Sequence, residues 1–221
     1  MGYRAIALSQ VDGAGGESIG RGLAQQLGFS YLNEAIVAQV ASDHSMDPAT
    51  VVEAERRKSF FIRVAEMAAR GGMDMAPDPS LYAVDQTDTV LSLIRDTLRD
   101  AAARGSVVLV AHGACYACAD RPDVLRVGVT APLSARVSRV ASASGITDKE
   151  AAKRLRQSDA GRASYLKRVY DVSRESPTDY DVVLNTERLA PDAAVGIILG
   201  LVQPRPAASP SPTAPIRTSG G

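Results

Sequence analysis

The chain has 221 residues, of which 45% are hydrophobic, and its 25 Lys and Arg residues balance 25 Asp and Glu residues. These values predict a soluble globular protein with a full core, and the lack of net positive charge argues against nucleic acid or an anionic membrane as its partner. The sequence has no apolar run of about eighteen residues that would span a membrane, and its two cysteines do not make a disulfide framework, so we expect a cytoplasmic protein.

Short apolar runs along the chain predict buried strands. These runs are Tyr3 to Leu8, Phe29 to Leu32, Val107 to Ala111, Leu125 to Thr130 and Asp181 to Asn185. The segments with helical spacing are Ser18 to Leu27, Glu34 to Ala41, Ala49 to Ala69, Thr87 to Ala103, Pro132 to Ala143, Asp148 to Tyr170 and Pro191 to Val202. The alternation of strand and helix predicts an α/β fold, with a parallel sheet covered by helices on both faces.

Three local patterns complete this outline. Thr147 precedes Glu150 by three residues, which predicts a capping box at the start of the long helix. The segment from Gly71 to Pro79 is rich in turn-forming residues and predicts a loop over one edge of the sheet. Five of the 12 prolines follow Val202, so we expect one domain over residues 1–202 and a disordered tail over residues 203–221.

The turn after the first strand carries the main functional signal. It holds three glycines within four positions directly before a helix, so its main-chain N–H groups and the helix dipole are suited to an anion. The predicted phosphate-binding residues are Gly13, Ala14, Gly15, Gly16, Glu17 and Ser18. A glycine-rich turn that merely connects a strand to a helix is the simpler alternative.

Neither familiar phosphate-binding motif fits this turn fully. The dinucleotide pattern G-x-G-x-x-G fails because Ser18 stands at its third glycine. In the P-loop pattern G-x-x-x-x-G-K-[ST], with Gly15 as the last glycine, Gln10 stands at the first glycine and Gly16 at the lysine. Glu17 then stands at the hydroxyl position, so the turn offers a cradle for phosphate without its cation.

Four blocks of the sequence, in the same order, resemble the cytidylate kinase-like family, a branch of the nucleoside monophosphate kinases whose P-loop often lacks the lysine. The blocks run from Gly13 to Tyr31, from Val127 to Val140, from Ser158 to Tyr165 and from Tyr180 to Thr186. The resemblance spans Tyr3 to about Leu201. It implies a five-stranded parallel sheet in a three-layer sandwich, a helical lid over residues 146–175, and a transferase that uses ATP and Mg²⁺ to phosphorylate a nucleoside monophosphate or another small acceptor.

Phosphoryl transfer needs cations that spread the transferring charge, and the lid region is basic. Asp159 and Arg162 lie three residues apart on one helical face and match the family's lid residues, so the resemblance implies that Arg162 clamps phosphate and that Asp159 orients it. Arg156 in the same cluster and Arg21 on the first helix are further candidates. A solvated basic helix with ordinary ion pairs is the alternative.

The resemblance also suggests residues for the acceptor. His112 ends the third strand, where the family usually has arginine, and a histidine carries at most a partial charge near neutrality. Arg56 and Arg57 lie where the family places its monophosphate-binding insert, and Arg136 completes the candidates. A helix that exposes its charges is the favoured alternative for Arg56 and Arg57. Glu17 could cap the first helix, bind Mg²⁺ through water or repel phosphate.

Two other functions stay open. A missing cation can remove about 3 kcal/mol of transition-state stabilisation, or about a hundredfold in rate, so a catalytically weak nucleotide-binding regulator is the first. The second is a redox or metal protein that uses Cys115 and Cys118, because a C-x-x-C pair at the start of a helix can have a lowered thiol pKa. Two buried structural cysteines explain the same pattern more simply.

Overall fold

A computed structural model describes residues 2–33 and 94–202 of the chain. Within these residues, parallel strands form one five-stranded sheet in the order β2-β3-β1-β4-β5. The strands are β1 (Ala5–Gln10), β2 (Ser30–Asn33), β3 (Val107–Val110), β4 (Val124–Thr130) and β5 (Val182–Asn185). The predicted strands are therefore confirmed, each to within two residues at its ends.

The helices follow the predicted alternation. They are α1 (Gly16–Leu27), α2 (described over 94–104), α3 (Ala114–Ala117), α4 (Leu133–Ser144), α5 (Asp148–Tyr170) and α6 (Pro191–Val202), with a 3₁₀ turn at Pro177–Asp179. None of the helices in the described ranges is both long and apolar enough to cross a membrane. The helices predicted at 34–41 and 49–69, the start of that predicted at 87–103, the loop at 71–79 and the tail at 203–221 lie outside the described residues.

The sheet is covered on both faces, and β1 shows this most directly. Ala5 and Ala7 belong to the apolar cluster that includes residues of α2 and α3, whereas Ile6 and Leu8 belong to the cluster that includes residues of α1 and α6. All four side chains are fully buried. The continuous apolar sequence of this strand follows from its central position in a sheet with two covered faces, which confirms the predicted three-layer arrangement.

The long helix α5 begins with the predicted capping box. Thr147 Oγ1 accepts a hydrogen bond from the Glu150 N–H at 3.3 Å, and Glu150 Oε2 accepts one from the Thr147 N–H at 3.0 Å. From this start α5 runs alongside α4, and each helix contributes a buried arginine, Arg136 from α4 and Arg162 from α5. These two side chains reach the carboxyl end of β1.

Helix α1 lies very close to the sheet at Gly20. A Cβ atom at this position would contact Val110 Cγ2 and would lie 3.1 Å from Tyr31 Cε2. Glycine therefore lets α1 approach β3 and β2 directly, and this approach sets the position of the turn that precedes the helix.

Gly20→Ala is expected to lower the free energy of unfolding by about 1–3 kcal/mol, because the new methyl group would push α1 away from β3. Gly196→Ala in α6 is the matched control, since its Cβ would meet no atom within 4 Å, and it is expected to stabilise by about 0.5–1 kcal/mol. Urea denaturation followed by circular dichroism measures both. Equal stability of the two variants would contradict the close packing of α1.

Candidate functional site

The loop that joins β1 to α1 lies at the carboxyl edge of the sheet, where open α/β sheets bind their ligands. Gly13 and Gly15 have φ angles of 77° and 82°, a region that residues with a Cβ atom rarely adopt. Gly15 is also the N-cap residue of α1, and as a glycine it offers no side chain to cap the helix. Two of the three predicted glycines are thus required by the backbone of the turn itself.

Side chains from distant elements bind the carbonyl oxygens of this loop. The four pairs are Arg162 with Gln10 O (2.9 Å), Arg136 with Asp12 O (3.2 Å), Arg139 with Gly13 O (3.3 Å) and Thr186 with Ala14 O (2.7 Å). In a planar trans peptide the C=O and the following N–H point in opposite directions. Each of these bonds therefore turns the next N–H away from the arginine or threonine that holds the loop.

Four N–H groups of the loop and the first turn of α1 meet no acceptor in the part of the chain that the structure describes. Within residues 2–33 and 94–202, no acceptor binds the N–H of Gly13, Gly15, Glu17 or Ser18. The Gly16 N–H donates to Gln10 Oε1 at 2.7 Å. These donors and the positive end of the α1 dipole suit an anion such as phosphate.

The position that the P-loop pattern assigns to lysine has no room for a side chain. A Cβ atom added to Gly16 would lie 2.5 Å from Gln10 Oε1 and 2.8 Å from Leu8 Cδ2. Leu8 is fully buried, so little space is open for it to move aside. The packing of this loop therefore requires glycine at the position where the P-loop pattern has lysine.

Arg162 is buried, with 4% of its side chain exposed, and joins three parts of the structure. Its Nε and Nη2 atoms donate to the two carboxylate oxygens of Glu175 at 2.9 and 2.6 Å. Its Nη1 atom donates to His112 O at 3.0 Å as well as to Gln10 O. Arg162 thereby ties α5 to the ends of β1 and β3.

Glu175 has a second donor and stays ionised. Tyr180 Oη donates to Glu175 Oε1 from the other side. Burial acts to raise the pKa of Glu175, but the bonds from Arg162 and Tyr180 and the charge of His112 outweigh it, so this pKa lies below its usual range. Burial raises the pKa of Tyr180, which keeps the phenol protonated as a donor.

The prediction that Asp159 orients Arg162 is wrong. The carboxylate of Asp159 accepts hydrogen bonds from Arg136 Nη1 and Nη2 at 2.9 and 2.8 Å. Glu175 takes the predicted role, from a segment beyond the end of α5. A three-residue spacing places Asp159 and Arg162 near the same helix face, but it does not show which neighbouring element supplies the partner of each.

Arg136 lies behind the loop and does not present itself to an acceptor, contrary to the prediction. Only 8% of its side chain is exposed, and its terminal nitrogens bind Asp159 and the Asp12 carbonyl. Because these contacts occupy both terminal nitrogens, Arg136 holds the loop against α5 in this structure.

His112 and Asp12 come together beside the loop. His112 Nε2 lies 3.9 Å from Asp12 Oδ1, at the carboxyl end of β3. Asp12 Oδ2 accepts a hydrogen bond from Ser158 Oγ at 2.5 Å. The end of β3, the loop and α5 thus meet at the Asp12 carboxylate, which places the predicted acceptor residue His112 next to the predicted phosphate site.

The other predicted cations are distributed around this region. The Arg21 guanidinium lies 4.8 Å from the centre of the Tyr31 ring and is exposed on α1. Arg156 is exposed on α5, and no described carboxylate pairs with it. Arg56 and Arg57 lie outside the described residues.

A metal at this site would depend on the oxygen atoms of its ligand. No cluster of three His, Cys, Asp or Glu side chains occurs in the described ranges. Glu17 and Ser18 are exposed in the first turn of α1, and Glu17 does not cap the helix, which excludes the capping role considered for it. Mg²⁺ commonly binds one or two protein oxygens together with substrate phosphates, so these two side chains fit such an ion.

The two cysteines are structural. Cys115 and Cys118 are fully buried free thiols, and Cys115 Sγ donates to Ala7 O at 3.2 Å. Burial raises the pKa of Cys115 to about 11 and that of Cys118 to about 12. The structure therefore contradicts the alternative of a reactive thiol pair, since burial outweighs any effect of the four-residue helix α3.

Comparisons with known proteins agree with this geometry. The family model described as the cytidylate kinase-like family matches residues 5–188. A cytidylate kinase from Methanopyrus kandleri is 32% identical over 147 residues, which cover 63% of this chain and 75% of that protein. A cytidylate kinase from Ignicoccus hospitalis is 26% identical over 193 residues, which cover 87% of this chain and 95% of that protein.

Solved structures share the fold at low sequence identity. An uncharacterized protein from Eubacterium ventriosum has a TM-score of 0.66 at 16% identity, covering 92% of this chain and 100% of that one. Shikimate kinase from Bacteroides thetaiotaomicron has a TM-score of 0.52 at 14% identity, covering 89% of this chain and 97% of that one. These likenesses show the α/β fold alone.

Glu175→Gln is expected to lower the free energy of unfolding by about 1.5–3 kcal/mol at neutral pH, because Arg162 loses its charged partner. The pKa of Glu175 is lowered in the folded protein, so its contribution is complete above the unfolded value of about 4.3 and is lost as the pH falls through the lower folded value. Urea denaturation at neutral and acid pH measures the difference between variant and wild type. Glu187→Gln, at an exposed glutamate, is the control, and a Glu175→Gln difference that persists at acid pH would contradict the assignment.

Proposed function

The chain belongs to the cytidylate kinase-like family, and on that premise we propose that it transfers a phosphoryl group from ATP, with Mg²⁺, to a nucleoside monophosphate. The observation that carries the proposal is the loop between β1 and α1, which side chains of other elements hold by its carbonyl oxygens, and in which the N–H groups of Gly13, Gly15, Glu17 and Ser18 meet no acceptor among the described residues. Cytidylate is the first candidate acceptor, because the curated relatives are cytidylate kinases.

The loop supports the binding of the ATP phosphates. Its N–H groups at Gly13, Gly15, Glu17 and Ser18 donate to phosphate oxygens, and the α1 dipole adds a positive field. Because Arg136 and Thr186 already bind the carbonyls of the peptides that carry the Gly13 and Gly15 N–H groups, these two donors need not reorganise when charge develops on the transferring group. Glu17 and Ser18 would hold Mg²⁺ bound with ATP, and the ion would neutralise charge on the phosphates.

The cations of α5 and α1 supply the remaining charge in this proposal. Arg162 stabilises the transferring phosphoryl group by exchanging part of its contact with Glu175 or the strand ends for phosphate oxygens. Arg156 and Arg21 contribute long-range positive charge. His112 binds the acceptor phosphate in this proposal, and Arg56 and Arg57 remain predicted acceptor ligands. Asp159 has a different part, since it acts through Arg136 to hold the loop.

A second candidate is a nucleotide-binding regulator with weak or no turnover. Two observations favour it: Gly16 has no room for a lysine, and Arg162 is fully bonded within the protein. Loss of one cation at the transition state lowers the rate by about a hundredfold, while the open N–H groups still bind phosphate.

The protein is expected to consume ATP fastest with CMP or dCMP, and the acceptors compared are CMP, dCMP, UMP and AMP in a coupled assay. Thermal unfolding with Mg²⁺ and ATP is measured in parallel, because a bound nucleotide raises the melting temperature. A melting shift without turnover for any acceptor favours the regulator. Neither shift nor turnover would contradict both candidates.

Arg162→Lys is expected to lower kcat about a hundredfold and to change the KM for ATP by less than about threefold, because lysine keeps the charge but loses the planar contacts of the guanidinium. Arg104→Ala, at the end of α2, is the control and should leave both constants unchanged. Equal losses of kcat and ATP affinity would argue against a transition-state role for Arg162. The melting temperature of each variant separates these effects from unfolding.

A further inference from the structure

The side chain of Gln10 spans the opening of the loop. Gln10 is the last residue of β1 and Gly16 is the first residue of α1, and the bond from Gly16 N to Gln10 Oε1 closes this gap at 2.7 Å. The main-chain oxygen of Gln10 accepts from Arg162 Nη1 at 2.9 Å. One residue therefore contacts the start of α1 through its side chain and α5 through its backbone.

Gln10 and Gly16 depart from the P-loop pattern together, and they are in contact. The pattern places no side chain at the first of these positions and a lysine at the second, whereas this chain has a glutamine at the first and no side chain at the second. A Cβ atom on Gly16 would lie 2.5 Å from Gln10 Oε1 and 2.9 Å from Gln10 Cβ. The glutamine side chain thus fills the space in which a side chain at position 16 would start.

The carboxamide of Gln10 keeps donors to spare. Its oxygen is identified by the hydrogen bond, because the Gly16 N–H can only donate. The amide nitrogen on the same carbon carries two N–H groups, and no residue of the described ranges accepts from them. Because this nitrogen shares its carbon with the oxygen that Gly16 N–H binds, it lies close to the first residue of α1.

We infer that Gln10 and Gly16 exchange the roles of the P-loop glycine and lysine. The Gln10 carboxamide supplies the side-chain donor to the bound phosphates, and position 16 has no side chain. This inference rests on the proposed function, since it concerns the triphosphate at the same loop. A neutral amide replaces an ammonium group, so the site binds phosphate through hydrogen bonds and adds no charge of its own. Gln10 thereby becomes a ligand of the nucleotide phosphates.

The first test compares two substitutions of Gln10. Gln10→Ala removes the donor and should weaken the affinity for Mg²⁺ and ATP about fivefold. Gln10→Glu keeps the oxygen that accepts from Gly16 but places a negative charge against the phosphates, so it should weaken affinity about a hundredfold. Gln26→Glu, on an exposed position of α1, carries the same charge change and should leave affinity unchanged.

Inorganic tripolyphosphate serves as a second probe in the same calorimetric titrations. If Gln10 contacts the phosphates, Gln10→Glu should weaken tripolyphosphate and ATP by the same factor. A loss confined to ATP would assign Gln10 to the nucleoside and overturn the inference. If Gln10→Glu binds as tightly as wild type, the carboxamide only holds the loop. If Gln10→Ala binds more tightly than wild type, the carboxamide competes with phosphate. Each of these results overturns the inference.

The second test addresses the exchange itself. Gly16→Lys alone should lower the melting temperature, because the new side chain meets Gln10 and Leu8. The double variant Gln10→Gly with Gly16→Lys should recover part of that loss and bind ATP more tightly than Gln10→Gly alone. Absence of any recovery would overturn the exchange.

These measurements separate the inference from the proposed function. If the wild-type protein binds ATP without turnover, and the affinities of the Gln10 variants for ATP fall in the expected order, the results contradict the kinase and support the inference. Wild-type protein that turns over CMP, with Gln10→Glu unaffected, supports the kinase and overturns the inference. Wild-type protein that binds neither ATP nor tripolyphosphate overturns both.

Discussion

The candidate site depends on hydrogen bonds at the back of the loop between β1 and α1. Each bond to a carbonyl oxygen sets the direction of the following N–H, because the peptide unit is planar. The donors Arg136, Arg139, Arg162 and Thr186 come from elements more than a hundred residues further along the chain. Tertiary contacts thus set the direction of the Gly13 and Gly15 N–H groups, which follow the carbonyls bound by Arg136 and Thr186, and the glycines make the backbone angles of the turn accessible.

Several parts of this arrangement follow from short-range sequence patterns. The buried strands, the helix bounds and the Thr147 capping box depend on periodicity and on contacts within a few residues, and these were predictable. Arg162 was predicted through its place in a family motif, and the structure places it against Gln10 O at the loop; its phosphate-clamping role stays a prediction. Its partner Glu175 was not predicted, because it lies beyond α5 in a segment without a pattern, and only the packed structure brings the two together. Arg139 and Thr186 lay inside the blocks that carry the resemblance, so the sequence held a signal for them.

The P-loop pattern and the C-x-x-C pair each have a meaning in the sequence that the three-dimensional structure changes. A degenerate P-loop pattern looks incomplete when read along the chain, yet Gln10 and Gly16 prove to be complementary in space. The C-x-x-C pair looks reactive when read along the chain, yet Cys115 and Cys118 are buried among apolar side chains with raised pKa values. In both cases the neighbours contributed by other strands and helices decide the chemistry that the residues can perform.

The bonds of Arg162 to the ends of both β1 and β3 have a thermodynamic consequence. One guanidinium is shared between the strand that leads into the loop and the strand that carries His112, so a ligand that alters its position at one strand end alters it at the other. Binding equilibria that are connected through a common group are reciprocal. If a ligand at the end of β1 changes the affinity for a ligand at the end of β3 by some factor, the second ligand changes the affinity for the first by the same factor. The affinity of either ligand, measured with and without the other, then gives the same coupling free energy.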